Sequence, residues 1–355
     1  MLNAETANAS LAGQVARAGV PTGLPDVGSP VSAPTGAVWA VLDNGAHHFQ
    51  HGPIDLVIQV DAATDNAALA AAWQRFSTVL PELVTELPAL RRPMADTASG
   101  ASPDTLFRTP VARRMGQACW PYRHGFVTAM AAVAGSVADE VLLALLGDDA
   151  AHAHAQAVAP ITEVQGEREG VVPGNRGGIR RAFVNNGGDI ALYLAPGETY
   201  TVALVSNPDA FQFDASTSTI SADGHFAIDA SQGIGGIATS GWRGRSFSFG
   251  IADSVTVFAA NAAQADVAAT LIANHVNADH PAIKREPANS LKDDTDLGER
   301  RVTVEVGHLP SAVARQALLQ GAQVARHWLA SGLILGAVLV LHGQVEVVLQ
   351  KTLKG

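Results

Sequence analysis

Ala182-Phe183-Val184-Asn185-Asn186-Gly187-Gly188-Asp189-Ile190-Ala191-Leu192-Tyr193-Leu194 is the stretch from which the fold is read. Ala182–Val184 and Ile190–Leu194 read as two strands. The residues between them read as a tight turn, because paired glycines reach positive φ without steric strain. The same glycines let main-chain amides approach a ligand closely, and Asp189 can accept a hydrogen bond from a ligand hydroxyl or ring donor. On chemistry alone, a plain type I′ hairpin turn capped by Asn and Asp is the stronger account.

Working outward, Thr128–Leu146 has the composition of a helix, and its first half holds the small-residue run Ala131-Ala132-Val133-Ala134-Gly135. Such a run lets a backbone come close to another element or to a ligand. Downstream, Tyr200–Val205 reads as a strand. Ser254–Ala259 alternates apolar and polar residues ahead of an alanine-rich helix over Ala265–Val276. Upstream, Ala37–Leu42 and Ile54–Val60 read as strands and Asn66–Val79 as a helix, with a polar loop over residues 95–107. The charged stretch from Pro281 to Arg301 reads as a surface loop. It is followed by a strand (Val302–Val306), a helix (Ser311–Ala330) and a hairpin (Leu333–Leu341 with Val345–Leu349). No internal repeat is evident. Several hairpins mixed with helices argue for an α+β fold with mixed or antiparallel sheets, not a doubly wound parallel sheet. Residues 1–36, rich in Ala, Gly, Pro and Ser, read as a flexible extension, and residues 37–355 as a single domain.

Composition narrows the function. Only 16% of residues are charged and 5% aromatic, so the core must be built from Ala, Val, Leu and Ile. A formal net charge of −10 repels phosphate backbones, which argues against a nucleic-acid partner and leaves a small-molecule ligand. Residues 1–36 lack the basic start and apolar run of a signal peptide, so a cytoplasmic address is expected. The most apolar segment, Trp328–Leu341, is too short to span a bilayer, so no membrane association is expected. Low charge and apolar segments in the C-terminal third suit a homodimer interface as well as a core. Cys119 is the only cysteine and reads as a small buried hydrophobe, not a nucleophile.

Asp266 and Thr270 lie four apart on a predicted helix and so share a face. A carboxylate and a hydroxyl one turn apart make half a site for a hard cation such as Mg²⁺. Helix-dipole complementation explains Asp266 at least as well. His47, His48 and His51 cluster before Gly52-Pro53, but the first and last have metal-ligand spacing only if the segment is helical, and Gly-Pro opposes that. His152 and His154 receive no role. No phosphate-binding loop of the GxxxxGK[ST] type, no GxGxxG and no nucleophile elbow are present.

Three segments, in order, resemble the signature of the ApbE superfamily, the FAD:protein FMN transferases. Asn185-Asn186-Gly187-Gly188-Asp189-Ile190 resembles its Asn-x-Gly-Gly-Asp turn. Ile237-Ala238-Thr239-Ser240-Gly241 resembles its Ala-Thr-Ser-Gly segment. Ser254-Val255-Thr256-Val257, with Ala265-Asp266 and Ala269-Thr270, resembles its Ser-Val-Thr-Val strand and Ala-Asp-x-x-x-Thr helix. Phe49–Ile58 and Thr128–Gly135 are similar to an uncharacterised branch of that superfamily. The resemblance implies an ApbE-like, T-fold-like α+β domain and a flavin or nucleotide pocket. Its cofactors would be FAD and Mg²⁺, with FMN passed to a threonine or serine of a target protein. It further implies Asn186, Gly187, Gly188, Asp189, Thr239 and Ser240 at the cofactor, with Ala134 and Gly135 in the segment that is Gly-x-x-Lys-Gly in the family. Asp266 and Thr270 would stand at the metal, and Asp139 matches an acidic position of the family.

Two departures qualify the function so implied. Ala134 stands where a phosphate-facing lysine is expected, and the family's His-x-x-Asp-Pro segment has no counterpart. Arg243 and Arg245 are the only cations in the stretch that replaces it, and they suit a substitute for the lysine as well as a plain surface. The expected function is therefore an enzyme, a transferase or hydrolase, acting with metal assistance on FAD or on a small anionic or cyclic metabolite. The alternatives are a non-catalytic flavin- or nucleotide-binding protein and a genuine FMN transferase.

Overall fold

The computed structural model describes residues 31–33, 36–61, 66–96, 101–147, 178–204, 213–214, 219–220 and 224–349. Ten strands form one sheet in the order β1 (Val31–Ser32), β2 (Val38–Val41), β3 (His47–His51), β4 (Ile54–Val60), β5 (Arg181–Asn186), β6 (Asp189–Leu194), β11 (Gly236–Ser240), β12 (Ser254–Ala259), β15 (Gly336–Leu341) and β16 (Gln344–Leu349). Every neighbouring pair is antiparallel, and most are hairpins, the arrangement that tight turns permit. This is the expected α+β architecture with antiparallel sheets.

Helices α1 (Asn66–Leu90), α2 (Pro103–Leu106), α3 (Pro110–Cys119), α4 (Val133–Leu146), α5 (Ala262–His275), α6 (Ala288–Leu291) and α7 (Ser311–Ala330) complete the named helices. In α1, Leu69, Ala72, Phe76, Val79, Leu83 and Leu90 recur at helical spacing and are all buried. The exposed Pro81 does not end the helix, which runs well past the expected Val79. On the opposite face of the sheet, the ribbon of β7 (Thr199–Leu204) and β10 (Gly224–Asp229) covers Leu192, Ile237, Phe258 and Val338. The short pair β8 (Phe213–Asp214) and β9 (Thr219–Ile220), and the pair β13 (Ile283–Pro287) with β14 (Arg301–Val306), stand outside the main sheet.

Several expectations shift. The folded sheet begins at Val31, inside the stretch read as an extension, because Val31 and Ser32 pair with Trp39 and Val38. Residues 1–30 and 34–35 of that stretch lie outside the described residues, as do His152 and His154. The loop expected over 95–107 contains α2, and the surface loop expected over 281–301 contains β13 and α6. His47–His51 is a strand, so His47 and His51 are not one helical turn apart. His48 instead pairs with Asp55 at 2.8 Å. Among the described residues, the stretch Ala129–Leu146 is long and apolar enough to cross a membrane by length and composition, but 61% of it is buried in the core.

The sheet divides into two halves of like order. A hairpin (β3–β4), helices α1 to α4 and a second hairpin (β5–β6) make the first. A hairpin (β11–β12), helices α5 to α7 and a second hairpin (β15–β16) make the other. The halves meet where β6 pairs with β11 through only Ala191–Gly236 and Ile190–Ile237.

Candidate active site at the junction of the halves

The segments singled out in the sequence converge on this seam. Two helix N-termini face each other there, and each is capped by the other's carboxylate. Asp139, in α4, accepts from the amides of Ala262 and Ala263 at 3.0 and 2.9 Å, in the first turn of α5. Asp266, in α5, accepts from the amide of Gly135 at 3.0 Å and from that of Ala134, in the first turn of α4. Each satisfies donors that no helix can satisfy internally, with its charge at a positive dipole end. The fit is close. A Cβ at Gly135 would lie 2.2 Å from the Ala262 carbonyl oxygen, and one at Gly236 would lie 2.1 Å from Asn261 main chain. Glycine is therefore required at both positions. Asn261 caps α5 through the Gln264 amide, so this helix begins three residues earlier than the sequence suggested. Asp266 thus lies in the second turn of α5 and complements the dipole of α4, not that of its own helix.

The β5–β6 turn closes over this junction. Gly187 and Gly188 adopt φ of 65° and 115°, the double positive φ of a type I′ turn. Asn185 accepts from the Gly188 amide at 2.8 Å. Asn186 is buried and donates to the Ala134 carbonyl at 3.1 Å, tying the turn to α4. Asp189 accepts from the Thr239 amide, and the Thr239 hydroxyl bonds to that of Thr256 at 2.9 Å, which fixes β11 against β12.

Electrostatics set these carboxyls apart. Burial raises Asp266 to about 7, and the nearby Asp139 adds to the shift against the pull of the two amides. Burial raises Asp139 to about 6 despite Arg114 and its two amides. Asp189 is raised well above the usual range by burial and then by the charge of Asp266, with Arg245 pulling the other way. Asp189 therefore lies in the field of Asp266.

The sequence-predicted residues fall into three groups. Asn186, Asp189, Ala134, Gly135, Asp266 and Thr239 are joined by these hydrogen bonds and fields. Gly187 and Gly188 form the turn itself. Ser240, paired across β12 with Val255, and Thr270, one turn beyond Asp266, lie on the same elements with no recorded hydrogen bond to the rest. Cys119 is fully buried, as the sequence suggested, but sequence reasoning did not anticipate that Asp266 adds to burial in pushing its thiol up. Nor did it foresee that Asp296 accepts from the Thr128 hydroxyl just ahead of α4. Both links span over a hundred residues, and no local pattern encodes them.

The family model described as AbpE bacteria matches residues 39–158 and 150–347. The chain belongs to this ApbE-like family. A UPF0280 protein of Methanothermobacter thermautotrophicus is 38% identical over 138 residues, 39% of this chain and 50% of that one. A UPF0280 protein of Methanoculleus marisnigri is 38% identical over 130 residues, 36% of this chain and 49% of that one. The chain spans about half the length of these curated relatives. The crystal structure of the ApbE protein of Thermotoga maritima aligns with 87% of this chain and 95% of its own, at 13% identity and a TM-score of 0.29. Within the ApbE-like family, this chain carries the Asn-Gly-Gly-Asp turn and the Ala-Asp-x-x-x-Thr helix together at one seam.

Proposed function

We propose that the junction binds a small anionic ligand of the flavin-nucleotide type with the help of one divalent cation, and that the chain is an enzyme but a poor FMN transferase. The observation that carries this reading is the approach of Asp189, in the first half, to Asp266, in the second, close enough for the Asp266 charge to oppose ionisation of Asp189. Two carboxylates so placed are relieved by a proton or by a cation between them.

The donor set suits a hard cation. Asp189, Asp266 and the Thr270 hydroxyl would be the protein ligands. Among the described residues no group of three or more His, Cys, Asp or Glu side chains gathers at one point. A complete protein cage is therefore not the model. Mg²⁺ characteristically takes one or two carboxylates and completes its shell with water and ligand phosphates. When bound, it would neutralise charge on a transferring phosphoryl group. FAD fits less well. With alanine at position 134 there is no lysine for the pyrophosphate, and the amides of Ala134 and Gly135 are already taken by Asp266.

Loss of one preorganised contact of this kind lowers phosphoryl-transfer rates by roughly two to three orders of magnitude. The test pairs calorimetric titration of FAD and FMN, with and without Mg²⁺, with a transfer assay using a competent acceptor protein. Mg²⁺-dependent ligand binding with transfer at least roughly 100-fold below an authentic transferase is the expected result. Flavin transfer at a comparable rate, or binding indifferent to Mg²⁺, would sink the reading.

A further inference from the structure

Resting on the reading that this site takes an anion, we propose that Arg245 is its oxyanion-binding residue, gripping a phosphate or carboxylate of the ligand at the Gly187 side of the turn. Gly187 is exposed with φ of 65°, and a Cβ built there would stand 2.9 Å from Arg245 Nη1 and 3.8 Å from Cζ. The guanidinium therefore lies against the bare main chain of the turn, in space that only a glycine leaves open. The connection that carries it, between β11 and β12, is closed at its neck. Trp242 donates to the Ala252 carbonyl at 3.0 Å and Gly244 to the Gly241 carbonyl at 3.1 Å. Its far side is pinned where the Phe249 amide donates to Asn274 at 2.9 Å and where Phe249 meets Phe126 with ring centroids 6.1 Å apart.

The neighbouring arginine is already engaged. Arg243 Nε lies 4.0 Å from an Asp253 oxygen, and its guanidinium sits 4.8 Å from the Trp242 ring centroid. Arg245 is exposed and forms no ion pair with a described residue. Its charge reaches Asp189 as a field and not as a contact. A planar fork with its donors unspent binds phosphate and carboxylate bidentately. The anion would therefore sit over Gly187 and not over the first turn of α4, whose amides are occupied.

The probes are inorganic pyrophosphate and malonate, titrated calorimetrically into the full chain in EDTA and again in Mg²⁺. In EDTA, Arg245→Gln is expected to weaken binding at least tenfold and Arg245→Lys to a lesser extent, since lysine keeps the charge and loses the fork. Arg243→Gln should match the parent. Preference for pyrophosphate over malonate assigns the ligand group as phosphate, and the reverse as carboxylate. Circular dichroism on each variant reports whether the fold is kept. Failure of the metal reading would appear separately, as no Mg²⁺ enhancement in the parent while the Arg245 dependence persists. The proposal is overturned if Arg245→Gln binds like the parent, or if the parent binds neither anion under either condition.

Discussion

At the scale of single residues, Asp266 and Asp139 each combine two demands that pull apart. Each is an acceptor for two main-chain amides, which favours the charged form, and each sits in a poorly hydrated junction, which opposes it more strongly. The consequence for stability has a definite sign. A carboxyl raised from 3.8 to about 7 keeps its proton in the folded chain while the unfolded chain has lost its own. Its contribution is complete at low pH and is lost as pH climbs through about 4 to about 7. The metal-free protein should therefore melt higher at pH 5 than at pH 8, and Asp266→Asn should flatten that slope in a pH series of melting curves. A slope unchanged by the substitution would show that other groups set it. Asp139→Ala leaves two buried amides without an acceptor and should cost about 2 to 4 kcal/mol in urea unfolding, against about 1 kcal/mol for an exposed cap. Most residues of this candidate site stood out in the sequence, because Asn-Gly-Gly-Asp and Ala-Asp-x-x-x-Thr are short and local. Their purpose was less so. No spacing rule shows that Asp266 caps a helix whose first turn lies over a hundred residues away.

At the scale of elements, the helices met the sequence patterns best in their interiors and worst at their ends. The apolar face of α1 was clear, but the expected helix ended at Val79, short of Pro81. An exposed proline gives up a single ladder bond, and the buried face around Val79 and Leu83 carries the helix through. Strand β14 was legible, but β13 was hidden because Lys284, Arg285 and Glu286 make it read as a charged surface segment, and only pairing with β14 makes it a strand. The small-residue run before Gly135 was read correctly as a place of close approach, and the structure supplies the partner, the start of α5. Gly135→Ala would drive a methyl group into the Ala262 carbonyl. It should cost about 1 to 3 kcal/mol, the usual range for overpacking, and should also weaken Mg²⁺-dependent ligand binding because it separates Asp266 from its amides. A variant that melts like the parent would mean that the two helices can part without loss.

At the scale of the whole molecule, the two halves share one sheet but little sheet hydrogen bonding where they meet, and α5 makes up the difference. Ala262, Ala263 and Val267 pack into the core of the first half, while Ala265, Ala268, Ala269 and Ile272 pack into that of the second. One helix that belongs to both cores couples them. Leu339→Ala, a truncation deep in the second core, should destabilise by about 2 to 5 kcal/mol. Hydrogen exchange should show the strands of the first half losing protection to the same extent. Protection kept in β4 and β5 would mean that the halves unfold independently. The repeated order of hairpins and helices escaped the sequence because backbone order tolerates nearly complete side-chain replacement. Cys119 makes the coupling measurable. Its thiol is fully buried, donates to main-chain carbonyls of Thr128 and Ala129, and is held protonated by burial and by Asp266. A disulfide reagent can reach it only while the helices around α5 stand apart. The protein thus carries its own clock for that opening, and a ligand seated across the seam would slow it in proportion to its occupancy.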